Sequence, residues 1–203
     1  DSVDQPQNPN NLKAEYADAR TDRRHIFNAT YIYELPFFTN DKNELLKAAL
    51  GGWQVSGFTT LQSGPPVPRI LVSTNGGRRG NQATVTGTPT VLNQGLVWFD
   101  ASVFKPNADG TYGNSGRAML RLPGRNQTDL GLSKNFYPMS KRVQFRADFI
   151  NAFNHTQWTT VNADCSTPTD VTQTCASFPN STVGQITGTR NPREIQLSLK
   201  LYW

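Results

Sequence analysis

The sequence is short of charge: Asp, Glu, Lys and Arg make up 17% of its 203 residues, against about 25% in an ordinary globular domain. It also lacks any apolar run approaching the ~18 residues of a membrane-spanning helix, and its mean hydropathy is −0.54. A helical membrane protein is therefore excluded. A β-barrel is not, because its strands alternate apolar with polar residues and average out as hydrophilic. Only two histidines are present, His25 and His155, and neither has Cys, His or carboxylate at ligand spacing, so no metal centre is expected. Gly76-Gly77-Arg78-Arg79-Gly80 lacks the lysine-serine of a phosphate loop and reads as a loop tip. Asn107-Ala108-Asp109-Gly110 reads as a turn in preference to a calcium loop. No residue is marked as a nucleophile, so the expectation is a non-enzymatic chain without cofactor or metal.

Aromatics are not scarce. Eleven Phe, six Tyr and four Trp are too many for a chain that buries nothing. The length suits one or two domains. The net charge of +5 comes from scattered Arg and Lys with no basic face, so no nucleic-acid partner is expected. The opening residues Asp1-Ser2-Val3-Asp4 carry no basic and apolar leader. That leaves a cytosolic chain or a processed or truncated piece of an exported one. The two cysteines, Cys165 and Cys175, lie in a polar Ser/Thr/Pro/Asp segment. This points to a loop-closing disulfide formed in an oxidising compartment, with two unrelated thiols as the alternative.

The informative signal is period-two alternation. From Arg24 to Leu35 one side reads Phe27, Ala29, Tyr31, Tyr33. From Trp53 to Ser63 it reads Trp53, Val55, Gly57, Thr59, Leu61. Thr128 to Phe136 offers Leu130, Leu132 and Phe136, and Arg142 to Phe153 offers Val143, Phe145, Ala147, Phe149 and Phe153. The last run is the cleanest, with Ile195, Leu197, Leu199, Leu201 and Trp203 set against Glu194, Gln196, Ser198, Lys200 and Tyr202. Such runs exceed the ~5–6 residues of soluble strands and match the ~9–11 that a tilted strand needs to cross a bilayer. Arg146, Asp148, Glu194 and Lys200 avoid the apolar side. Lys134 does not, but it lies two residues from a strand end, where it can snorkel.

Connections alternate in length. Residues 36–52 join the first two strands, with a helical turn expected at Asn43–Leu50, and residues 137–141 form a tight turn. Residues 64–125 and 154–192 are long and polar. The expected organisation is an N-terminal extended segment, 1–23, followed by barrel strands over 24–203 with exterior loops 64–125 and 154–192. Tight turns inside and long loops outside are the asymmetry of outer-membrane barrels. Tyr33, Trp53, Phe136 and Trp203 then collect at the inner strand ends as an interfacial girdle. Trp98, Phe99, Phe104, Tyr112, Trp158 and Phe178 fall in the exterior segments, where they either contact partners or pack into a small core of their own. A soluble β-sandwich also alternates, but it accounts less well for strand length and loop asymmetry.

Several motifs carry a resemblance. They are Asp22-Arg23-Arg24-His25 with Glu34-Leu35-Pro36, and Gly51-Gly52-Trp53-Gln54-Val55-Ser56-Gly57 with Leu61-Gln62-Ser63-Gly64. Next come Gly116-Arg117 with Leu122-Pro123-Gly124, then Thr128-Asp129-Leu130 with Lys134-Asn135-Phe136. The last are Phe145-Arg146-Ala147-Asp148-Phe149 with Asn151-Ala152-Phe153-Asn154-His155-Thr156, and Gly184-Gln185-Ile186 with Arg190-Asn191-Pro192-Arg193. Together, over roughly residues 10–203, the chain resembles the C-terminal end of TonB-dependent receptor barrels. The resemblance is to the adhesin-like branch with an N-terminal carboxypeptidase-regulatory-like domain. It implies a barrel of about 22 strands plugged by an N-terminal domain and driven by TonB. It also implies that the stripe Ile195, Leu197, Leu199, Leu201, Trp203 is read by the barrel-assembly machinery. These residues include no plug, TonB box or regulatory-like domain, so no uptake residue carries over.

The expected fold is all-β: an antiparallel meander of about five outer-membrane-type strands, an incomplete barrel with long polar loops on one side. Barrels have at least eight strands, and an open edge in hydrocarbon leaves backbone groups unpaired at several kcal/mol each. Something beyond these strands must therefore complete the sheet, either the rest of a larger barrel or other copies of the chain. Two functions follow. One is the C-terminal part of an outer-membrane receptor or transporter in a Gram-negative-type bacterium. The other is a barrel-derived fragment that polymerises by strand addition into an extracellular fibre.

Overall fold

The computed structural model describes residues 6–40, 42–72, 82–108, 110–138, 141–166 and 170–203. The loop tip at Gly76–Gly80 and Asp109 of the predicted turn lie outside the described residues. After a 3-10 turn at Leu12–Glu15, the elements are β1 (Ile26–Glu34), α1 (Glu44–Leu50), β2 (Trp53–Gln62), β3 (Leu71–Val72), β4 (Thr84–Val85), β5 (Val91–Gln94), β6 (Val97–Phe99) and β7 (Phe104–Lys105). They continue as β8 (Arg125–Phe136), β9 (Arg142–Ile150), β10 (Trp158–Val161), β11 (Asp164–Cys165), β12 (Ile186–Thr189) and β13 (Glu194–Tyr202). Contacts divide the chain into two compact units.

One unit, His25–Gln62, Arg125–Gln157 and Arg190–Trp203, is a five-stranded antiparallel sheet in the order β1-β2-β8-β9-β13. Its strands are the five period-two runs, each 9–12 residues long. Two of their bounds differ from the sequence expectation by three residues, and the others by no more than two. β8 begins at Arg125 instead of Thr128, because Arg125, Asn126 and Gln127 pair with Gln62, Leu61 and Thr60. β9 stops at Ile150, short of Phe153, because Asn151 turns into the left-handed region at φ 52°. The Asn151 side chain then stabilises the turn by accepting from the His155 amide at 3.0 Å and donating to the His155 carbonyl at 3.1 Å. Asparagine tolerates that conformation because its short side chain can bond its own backbone. The predicted helical turn is α1, capped by Asn43 Oδ1, which accepts from the amides of Leu45 and Leu46.

Short and long connections sort to opposite ends of the sheet. β1–β2 and β8–β9 are joined at the end marked by Glu34, Trp53, Phe136 and Arg142, while Gln62, Arg125, Ile150 and Glu194 lie in register at the other end. The two long segments therefore both leave and re-enter the sheet at that second end.

The other unit comprises Asp1–Arg24, Ser63–Gly124 and Trp158–Thr189. The sequence reads the last two segments as polar loops, yet together they bury a core of Val67, Ile70, Phe99, Phe104, Leu120 and both cysteines. Phe99 and Phe104 meet edge-on at 5.9 Å, a favoured aromatic geometry. Trp98 and Phe178 pack against this core, and the Trp98 indole donates to the Arg121 carbonyl at 2.7 Å. Cys165 and Cys175 form a disulfide with Cα atoms 5.4 Å apart. Short pairs β3–β11, β4–β7, β5–β6 and β10–β12 brace the unit. The N-terminal segment is fastened by buried charge: Glu15 pairs with Arg117 and accepts from Gln82 Nε2 at 2.9 Å. Asp18 and Asp22 both bind Arg121. Asp22 first, and then Asp18, hold the Arg121 guanidinium above its ordinary pKa.

One close approach is decisive in this unit. A Cβ on Gly64 would fall 1.7 Å from the Leu122 carbonyl oxygen, beside the bond from the Leu122 amide to the Pro65 carbonyl at 2.8 Å. Both obstacles are backbone, so no side-chain rotation relieves the clash. Gly64→Ala is expected to destabilise this unit by about 1–3 kcal/mol. The measurement is limited proteolysis of the whole chain, and unchanged cleavage between Ser63 and Gly124 would refute it.

Candidate functional site

The register of the sheet decides which side chains share a face. Tyr31, Gly57, Leu130, Phe149 and Ile195 form one continuous row, and Tyr33, Val55, Leu132, Ala147 and Leu197 form the next. Trp53, Lys134, Phe145 and Leu199 follow, then Phe136, Val143 and Leu201. All five apolar stripes therefore lie on the same side. The outermost is nearly naked: Leu197, Leu199 and Leu201 are 61–66% exposed. A row of large aliphatic side chains on a long strand, with nothing of the chain upon it, has to be covered by another apolar phase.

Polar groups on this face are satisfied individually, as burial in an apolar medium requires. The Thr59 and Thr128 hydroxyls bond one another at 3.1 Å, and the Tyr31 hydroxyl reaches Thr59 at 3.5 Å. The Tyr31 ring lies over Gly57, where a Cβ would come within 2.3 Å of it. A glycine inside a strand marks such a close approach. The period-two reading placed Gly57 in its stripe without giving it this role.

The four girdle residues gather at one end. Tyr33, Trp53 and Phe136 occupy the short-turn end of the apolar face, and Trp203 follows β13 at the same end, almost fully exposed. Lys134 sits among them and is 5% exposed. Its ammonium donates to the Gly51 carbonyl and lies 5.7 Å from the Trp53 ring and 5.1 Å from the Phe136 ring. Trp53 and Phe145, on the strands either side of Lys134, meet edge-on at 6.0 Å. Its place near a strand end suggests a snorkelled lysine; the structure instead buries the ammonium against a backbone carbonyl.

The opposite face is polar. Arg146 clasps Asp148 at 2.8 and 2.9 Å. Gln127 donates to both Asp129 oxygens at 2.9 and 3.1 Å and accepts from Arg125 Nε at 3.1 Å. Gln144, Gln196, Ser198 and Lys200 share this side. Ile32 and Phe58 are exposed there as well, so the face is mixed, as a wall packed against protein would be.

Among the described residues, β1 pairs only with β2 and β13 only with β9. Each outer strand, nine residues long, therefore turns the N–H and C=O groups of every second residue to a free edge. Among the described residues neither histidine joins a group that could hold a metal ion; Gln157 Nε2 lies 2.8 Å from His155 Nδ1, at the strand-to-loop junction. Asn107 donates to the Gln82 carbonyl and accepts from the Thr84 hydroxyl, both at 2.7 Å.

One apolar face, one polar face, strands of membrane-crossing length and an aromatic end together define the wall of an outer-membrane β-barrel. The chain belongs to the family described as the outer membrane beta barrel domain, which it matches over residues 1–196. That membership places it in the outer membrane. No curated protein and no solved structure matches it.

Proposed function

We propose that this chain is the C-terminal part of a TonB-dependent-receptor-like outer-membrane barrel, with a non-catalytic role in uptake. The observation that carries the reading is the sheet itself, which has one lipid-suited face and two open edges that hydrocarbon cannot satisfy. The motifs resembling TonB-dependent receptor barrels support the finer assignment.

Strand direction constrains what completes the sheet. With five antiparallel strands, β1 and β13 run the same way. Antiparallel closure thus requires an odd number of further strands, giving an even total. Copies of this chain stacked head to tail would instead join β13 to β1 in parallel. That disfavours the fibre, although the open edges make strand addition between copies the second reading. The rest of the barrel, the membrane and the barrel-assembly machinery are the proposed partners. The test is to detect residues 64–125 immunologically in the native source. The expected result is a species much larger than 22.5 kDa in outer-membrane fractions, with heat-modifiable migration. A 22.5 kDa species found in extracellular filaments would replace this reading with the fibre.

A further inference from the structure

A recess of about 570 Å³ opens at the short-turn end of the sheet, lined by Glu44, Lys47, Gly51, Lys134, Phe136 and Tyr137 among others. Its walls are held in place. The Trp53 indole donates to the Ala49 carbonyl at 3.1 Å, fixing α1 to the start of β2. Lys134 is the buried charge of this recess. Its ammonium has three donors, of which the Gly51 carbonyl takes one. Among the described residues no carboxylate pairs with it: Glu44 is engaged with Lys47 at 3.8 Å. A buried cation without a counter-charge is costly, and the recess gives it access to an external anion. Lys47 also lines the recess, its charge matched by Glu44, so Lys134 supplies the net positive charge.

The surroundings select among anions. Trp53 and Phe136, which flank the ammonium, lie on the apolar face of the sheet and in its aromatic end. An occupant here meets a positive charge at one end and continuous hydrocarbon at the other. That is the layout of a phospholipid, with its phosphate at the interface and its acyl chains along the strands. We infer that the recess beside Lys134 binds the phosphodiester headgroup of one membrane phospholipid, whose chains lie on the apolar face over Trp53 and Phe136. This rests on the membrane reading above.

The test uses the full-length outer-membrane protein, purified in mild detergent and examined by native mass spectrometry with dioleoylphosphatidylglycerol. Wild type is expected to retain one more lipid than Lys134→Gln, with affinity about tenfold higher. Lys134→Arg is expected to keep it. Dioleoylglycerol, which lacks the phosphate, is expected to be lost, and inorganic phosphate is expected not to displace the lipid. Equal retention by wild type and Lys134→Gln overturns the inference, as does equal retention of the two lipids. Displacement by inorganic phosphate also overturns it, because the site would then serve a free anion. Should Lys134→Gln fail to assemble, the two-lipid comparison in wild type decides alone. An assembled barrel with no lysine-dependent lipid leaves the membrane reading intact, whereas a protein absent from the outer membrane removes both.

Discussion

Leu197→Arg is expected to cost about 2–4 kcal/mol of barrel stability in the membrane and to lower sharply the fraction of heat-modifiable, folded protein. Leu197 lies within the outermost stripe, 66% exposed, paired with Ala147 on β9, three residues from the start of its strand and five from its end. At that depth a guanidinium cannot snorkel to either interface without bending the strand. The matched control is Gln196→Arg. Gln196 pairs with Asp148 on the polar face, so an arginine there meets a carboxylate and is expected to change stability by no more than about 0.5 kcal/mol. Urea unfolding of the full-length protein in lipid vesicles, followed by tryptophan emission, compares the two. Equal effects at positions 196 and 197 would mean that the two faces do not meet different media. The membrane assignment would then fail.

The second large effect is expected from the disulfide. The bridge closes a separation of 10 residues, for which the chain-entropy model gives about 2.5–3 kcal/mol. Both cysteines are fully buried, and the Cys175 amide donates to the Phe104 carbonyl at 2.8 Å, so the bridged loop is itself tied to the first core segment. Cys165→Ala/Cys175→Ala is expected to raise protease cleavage in the Ser63–Gly124 and Trp158–Thr189 segments by about two orders of magnitude where cleavage follows the open population. Reductant applied to wild type is expected to do the same, while the strands of the sheet remain protected. Cleavage indifferent to both the substitutions and the reductant would show that the bridge contributes nothing.

The sheet was legible in the sequence because a half-buried strand writes its environment at every second residue. The stripe from Ile195 to Leu201 needs no partner to be read. Its limits were less legible: β8 gained Arg125–Gln127, polar residues that belong to the ladder through backbone pairing alone. The second unit was concealed for a related reason. Its strands β3 to β7 and β10 to β12 have two to four residues each, too few for alternation to register. Its core is drawn from two separate segments, and only the aromatics among Asn, Thr and Gly hinted at it. Lys134 stood out as a charge in an apolar stripe. Its acceptor Gly51 did not, because a carbonyl at the mouth of a turn leaves no mark on the sequence. The mate of Gly57, the Tyr31 ring, becomes visible only when the register is known.

The unit that binds Arg117 and Arg121 to Glu15, Asp18 and Asp22 draws on stretches separated by two strand hairpins of the sheet. β3, made soon after the second strand, waits for β11, and Phe99 waits for Val183, which completes the same cluster. The cluster therefore stays open until the stretch carrying Cys165 and Val183 has joined the earlier one.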